Sequence, residues 1–180
     1  KFRNRKAILI KYNCVQQRFK GNKPISISDD VLINLSAVEA RDGIEAGDFS
    51  AEDLTKACLA RIDEREKVVG AWTYISEKLA LKQARELDLR RQSGKTLGAL
   101  HGLPIGIKDI LDTNDMPTEC GSDFYRGRRP LEDSAVVALL RQAGAVILGK
   151  TVTTEMALSA AGKTTNPYDS LRTPGGSSSG

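Results

Sequence analysis

Stretches of helical periodicity alternate with short apolar runs between Leu35 and Leu148, and few architectures accommodate that alternation. Leu35 to Ala46 reads as a short helix ending at Gly47. Ser50 starts a second helix, and Asp53, three residues on, completes a capping box. Leu54, Ala57, Cys58 and Ile62 put one apolar stripe on that helix. Ala71 to Ile75 is aromatic and β-branched and predicts a strand. Ser76 is the expected cap of a helix over Glu77 to Gln92, which Ser93-Gly94 terminates. Leu103 to Leu111 predicts an apolar strand with a lysine inside it. Asp133 is the expected cap of a helix carrying Val136, Leu139, Leu140 and Ala143 on one side. Ala145 to Leu148 predicts a short buried strand, Thr153 to Ala160 a further helical piece, and turn formers take over from Lys163. Helices interleaved with apolar strands give an α/β layer structure.

With 180 residues, 40% hydrophobic and 28% charged, the chain can enclose one core, and wholesale disorder is excluded. No apolar run approaches the 18 residues of a membrane span. The formal charge of +4 divides unevenly: eight of the 27 Lys and Arg lie in residues 1–28, which hold no acid. The rest sets 19 basic against 23 acidic side chains, net −4, so no nucleic-acid partner is expected for the body. Residues 1–30 read as a basic tail to which no fold is assigned, weakly compatible with an organelle transit peptide. Cys14, Cys58 and Cys120 are far apart and lack a C-x-x-C spacing, which fits neither a disulfide framework nor zinc and points to a cytoplasmic, reducing compartment. Ala7 to Ile10 is too short for a secretory leader. The chain starts without Met and stops inside a Gly/Ser run, so both ends read as cut.

Four features bear on chemistry. Lys108 sits among Ile105, Ile107, Ile110 and Leu111, and burial there would disfavour its ammonium and fit it for general-base work. The open alternative has Lys108 facing solvent on an edge strand, or paired with Asp109 or Asp112. The run Gly175-Gly176-Ser177-Ser178-Ser179-Gly180 suits either a flexible linker or a loop holding a hydroxyl beside a substrate carbonyl. Residues 144–151 satisfy the phosphate-loop pattern G-x-x-x-x-G-K-[ST], which makes a nucleotide-binding module an alternative. Their four intervening residues, however, form a buried-strand sequence that cannot wrap a phosphate. His101 has no second His or nearby Cys and reads as hydrogen-bonded structure, so no metal and no cofactor is expected.

Three stretches taken together resemble the amidase signature family. They are His101-Gly-Leu-Pro-Ile-Gly-Ile-Lys108-Asp109, Ser134 through Gly149-Lys150-Thr151 with Glu155, and Asn166-Pro167 leading to Pro174-Gly-Gly-Ser-Ser-Ser-Gly180. The region Leu35 to Glu64 is similar to the family's N-terminal helices. The resemblance implies a mixed β-sheet covered by helices, with residues 31–180 as the N-terminal part of a single amidase signature domain. It implies a Ser–cisSer–Lys mechanism acting on small-molecule amides, with Lys108 as base and Ser177 as the bridging serine after a cis peptide bond. Ser178, Gly175 and Gly176 would support that site. The family's attacking serine belongs to a Gly-x-Asp-x-Gly-Gly-Ser motif that these 180 residues lack, so the segment alone is expected not to turn over an amide. The family also contains the subunit that releases ammonia from glutamine for tRNA-dependent amidation. There the lysine-threonine pair is commonly followed by Asn, and Val152 in that place tilts the reading toward a general amidase.

Overall fold

The computed structural model describes residues 27–180, and the basic tail lies almost wholly outside them. A single helical turn, α1 (Asp29–Leu32), precedes α2 (Ala37–Ala46) and the long α3 (Ala51–Val69). Strand β1 (Trp72–Ile75), helix α4 (Glu77–Gln92), strand β2 (Pro104–Lys108), helix α5 (Ala135–Gln142) and strand β3 (Val146–Thr151) follow. Two 3-10 turns, Asp123–Tyr125 and Glu155–Ala157, lie in the connections.

Local chemistry sets most of these boundaries. Ser36 with Glu39, and Ser50 with Asp53, form reciprocal capping boxes that open α2 and α3. Gly47 and Gly70 close the same helices in the left-handed conformation. The Ser76 side chain accepts the amide of Leu79 at the start of α4. The N-terminus of α3 is held a second time from outside: the buried carboxylate of Asp88, on α4, accepts the amides of Ala51 at 2.8 Å and Glu52 at 3.0 Å. Helices α3 and α4 are thereby joined by a bond as well as by packing.

Among the described residues the sheet has three strands in the order β1-β3-β2. β3 pairs antiparallel with β1 and parallel with β2, so the sheet is mixed and β3 is its centre. Apolar clusters cover it from two directions. The larger joins Leu32, Ile44, Leu54, Ala57, Ala80 and Ala84 of helices α1 to α4 to Leu103, Val146 and Leu148. The smaller joins Ile107 and Ile147 to Met116 and to Val137 of α5. Each fully buried Ile or Val of these sets contributes on the order of 1.5–3 kcal/mol. Gln83 of α4 seals the junction, donating to Ile147 O at 3.3 Å while its own carbonyl accepts from Ile147 N and from Arg141 of α5.

Three expectations are corrected. Helix α5 begins after Ser134, and the Asp133 carboxylate serves elsewhere, accepting from Asn114 N and from Arg141. Its buried residue is Val137, while Val136 and Leu139 are exposed, because the helix turns a different face to the sheet than the stripe suggests. Thr153 to Ala160 holds only the 3-10 turn, in which Met156 and Ala157 adopt positive φ and break any helical run. Among the described residues no helix is long and apolar enough to cross a membrane.

Candidate active site

Lys108 is the last residue of β2 and pairs with Thr151, the last residue of β3. Beyond Thr151 the chain continues as a ledge for the serine loop. Thr153 and Ser178 form an antiparallel bridge, Thr154 N donates to Ser177 O at 3.0 Å, and the amides of Ser179 and Gly180 donate to Val152 O. Lysine and serine are thus fastened to the same strand from two directions. Lys108 Nζ donates to Ser177 Oγ at 2.6 Å. The Gly176–Ser177 peptide bond is cis.

The loop needs its glycines. Gly175 has φ +98°, a conformation that L side chains rarely adopt. A Cβ on Gly176 would lie 2.8 Å from the Thr154 methyl group. Ser179, which the sequence did not single out, is buried and donates its hydroxyl to Gly175 O at 3.1 Å, closing the loop on itself. Ser178 is exposed beside it. The hydroxyl that meets the lysine is therefore the first after the glycine pair.

Lys108 is half-buried, its aliphatic neighbours enclosing it less than the apolar run suggests. Neither neighbouring acid is its ion-pair partner. Asp112 binds Arg128 through two bonds of 2.7 Å, and this fork holds its carboxyl below the usual carboxylate range. Asp109 pairs with Lys150, Nζ to Oδ1 at 3.1 Å.

Among the described residues Lys150 is the lysine that the fold buries completely, at 0% exposure. Besides Asp109, its Nζ donates to Thr118 Oγ1 at 2.5 Å and to Pro117 O at 3.1 Å. Burial pushes the Lys150 amine down and the Asp109 carboxyl up, each opposed by the other's charge. The strand expected from the sequence stops at Leu148, short of this pair. The signal was available, because a lysine following Ala145 to Leu148 raises the same question of burial as Lys108.

The same geometry disposes of the phosphate-loop alternative. Residues 146–151 are strand β3, and Gly149 is bracketed by β1 and β2 through its pairings with Ile75 and Gly106. Their amides do not converge on a phosphate-sized space, and the Lys150 amine is spent on Asp109, Thr118 and Pro117. His101 is buried at the entrance to β2, with both ring nitrogens cut off from solvent. Among the described residues no group of three or more His, Cys, Asp or Glu is arranged to hold a metal.

Comparison with known proteins bears on the family and the fold. The family model described as Amidase matches residues 53–180. A glutamyl-tRNA(Gln) amidotransferase subunit from Rhodopirellula baltica is 42% identical over 149 residues, 79% of this chain and 30% of that protein. The equivalent subunit from Acidothermus cellulolyticus, which carries the same name, is 44% identical over 155 residues, 83% of this chain and 31% of that protein. Among solved structures, the peptide amidase of Stenotrophomonas maltophilia superposes with a TM-score of 0.76 at 34% identity, covering 81% of this chain and 32% of that one. A fatty acid amide hydrolase superposes with a TM-score of 0.78 at 29% identity, covering 97% and 32% respectively. The chain thus spans about a third of the length of the curated relatives it matches. Over that third, the shared sequence and the shared fold place it in one family: the chain belongs to the amidase family.

Proposed function

We propose that this chain supplies the lysine and the bridging serine of an amidase that cleaves carboxylic amide C–N bonds. The observation that carries the reading is the 2.6 Å contact between Lys108 Nζ and Ser177 Oγ. In its neutral form the Lys108 amine takes the Ser177 hydroxyl proton, and Ser177 takes one from the attacking serine as that oxygen bonds to the substrate carbonyl. When the tetrahedral adduct collapses, the C–N bond breaks and the relayed proton returns to the leaving nitrogen. Water then repeats the attack on the acyl ester and frees the carboxylic acid. By resemblance, the attacking serine belongs to the Gly-x-Asp-x-Gly-Gly-Ser motif, which lies outside these residues. The substrate is a small-molecule amide, and the dispersed cysteines favour a reducing, cytoplasmic setting.

A second reading narrows the first. The relatives at 42–44% identity are named glutamyl-tRNA(Gln) amidotransferase subunits, whereas the peptide amidase and the fatty acid amide hydrolase stand at 34% and 29%. Glutamine would then be the amide, and ammonia the product passed on to a partner protein.

The test uses the whole reading frame that encodes this chain, assayed for ammonia release from glutamine and from primary aliphatic and peptide amides. Labelling with a fluorophosphonate probe accompanies each assay. Turnover of at least one amide, lost together with labelling in Lys108→Ala, is the expected result. Turnover indifferent to Lys108→Ala would overturn the reading. Glutamine alone as substrate would select the amidotransferase form.

A further inference from the structure

The relay proposed above leaves one buried ionic cluster without a task. Lys150 stands on the central strand with its ammonium distributed over three acceptors: Asp109 Oδ1, Thr118 Oγ1 and Pro117 O. Asp109, 1% exposed, is the residue immediately after Lys108. It is held from several sides. Its amide donates to Thr151 O at 2.9 Å, its carbonyl accepts Cys120 N at 2.9 Å, and its second carboxylate oxygen accepts Glu119 N at 3.2 Å.

A pair of this kind is a poor device for stability alone. Withdrawing two charges from water costs several kcal/mol each, and apolar side chains of equal volume often do as well. The directions of the two titrations, Lys150 down and Asp109 up, record that cost. What the pair supplies is a fixed place for the backbone. The chain leaves β2 at Lys108 and turns at once, with Leu111 N donating to Lys108 O at 3.0 Å. The direction of the Lys108 side chain therefore depends on where Asp109 sits. Lys150 also belongs to the strand whose continuation, Val152 to Thr154, carries the serine loop. One residue thus ties the root of Lys108 to the support of Ser177.

We infer that Lys150 is a positioning residue for the Lys108–Ser177 pair: through Asp109, Thr118 and Pro117 it locks the turn after Lys108 and sets the point at which the two side chains meet. The kinetic consequence rests on the amidase reading; the geometric one does not. A misplacement of about 1 Å in a reacting group can cost on the order of a hundredfold in rate, so a small shift of Asp109 is enough.

The test compares Lys150→Met with the double variant Asp109→Asn/Lys150→Met in the whole reading frame. The single change leaves a buried carboxylate without its cation, and its Tm is expected to fall. The double change removes both charges, and its Tm is expected to recover while kcat stays down by about tenfold or more and KM holds within about twofold. Its crystal structure should show Lys108 Nζ withdrawn from Ser177 Oγ beyond hydrogen-bond distance. A double variant with recovered Tm, full kcat and the contact intact would overturn the inference. Should it fail to fold, Thr118→Val decides: a lowered kcat at unchanged Tm supports the role, and an unchanged kcat rejects it. If Lys108→Ala leaves turnover unaffected, the amidase reading fails, and the distance in the variant structures alone decides the positioning role.

Discussion

Lys108 and Ser177 lie 69 residues apart in sequence, and their side chains meet at 2.6 Å because one is mounted beside β3 and the other on the segment that continues it. The lysine arrives by parallel pairing of β2 with that strand, and the serine by the bridge and amide bonds of the loop beyond it. A contact built this way has backbone bonds behind both partners and lies within the hydrogen-bond reach that a proton transfer needs.

Lys108 and Ser177 should therefore behave as one unit in mutagenesis. Lys108→Ala and Ser177→Ala are each expected to lower kcat/KM for amide hydrolysis by about 10²–10⁴. The double variant is expected to be no worse than the poorer single variant, since removing either member already breaks the relay. A double-mutant cycle on the whole reading frame measures this. Multiplicative losses would mean that the two residues act separately.

Much of the scaffold was legible in the sequence because its signals are local. Ser50, Ser76, Gly47 and the stripe of α3 mark helix ends and faces within a few residues of themselves. What failed was long-range. Lys150 after Ala145 to Leu148 raises the question of burial locally, but its partner Asp109 follows only from knowing that β2 runs beside β3 and how the chain turns after Lys108. The face of α5 was misread because Val137 packs on Ile107 and Ile147, a contact that no periodicity within eight residues announces. The meeting of Lys108 with Ser177 came from family resemblance, since neither residue's surroundings in sequence point to the other.

Gly149→Ala tests whether the centre of the sheet tolerates any side chain. A Cβ at this position would lie 2.1 Å from Tyr74 O, a backbone atom of the paired strand that cannot swing aside. Strands β1 and β3 would have to separate, at a cost of about 1–3 kcal/mol or more. Chemical denaturation should show a lowered midpoint. An unchanged midpoint would mean that β1 is less firmly docked than its register with Lys150 and Gly149 indicates.

Asp88→Ala removes a cap that one helix supplies to another. Two amides at the start of α3 lose a buried carboxylate, and the loss should be about 1–3 kcal/mol, seen as a fall in Tm. Asp88→Asn, which keeps one carbonyl acceptor, should recover part of it. Equal Tm values for wild type and Asp88→Ala would show that water replaces the cap at no cost.

His101, the single histidine of the chain, should make stability fall as the solution turns mildly acidic. Burial lowers its pKa below the ordinary value of 6.5, against the Leu87 backbone and the Asp88 charge, which favour the proton, and with the positive charges of Arg90 and Arg91, which oppose it. Above 6.5 the imidazole is neutral in folded and unfolded chains alike and contributes no slope. As pH drops through 6.5 the unfolded chain takes up a proton that the folded chain refuses, and stability is lost until the lowered native value is reached. Denaturation midpoints measured between pH 7.5 and 5.5 should therefore decline more steeply in the wild type than in His101→Asn. Asp109 works in the opposite sense, because its raised pKa lets the folded chain bind a proton first as pH falls. Both proteins retain Asp109, so the difference between their curves isolates the histidine. Parallel curves would mean that the ring accepts its proton in place, and that the enclosure around His101 opens to water.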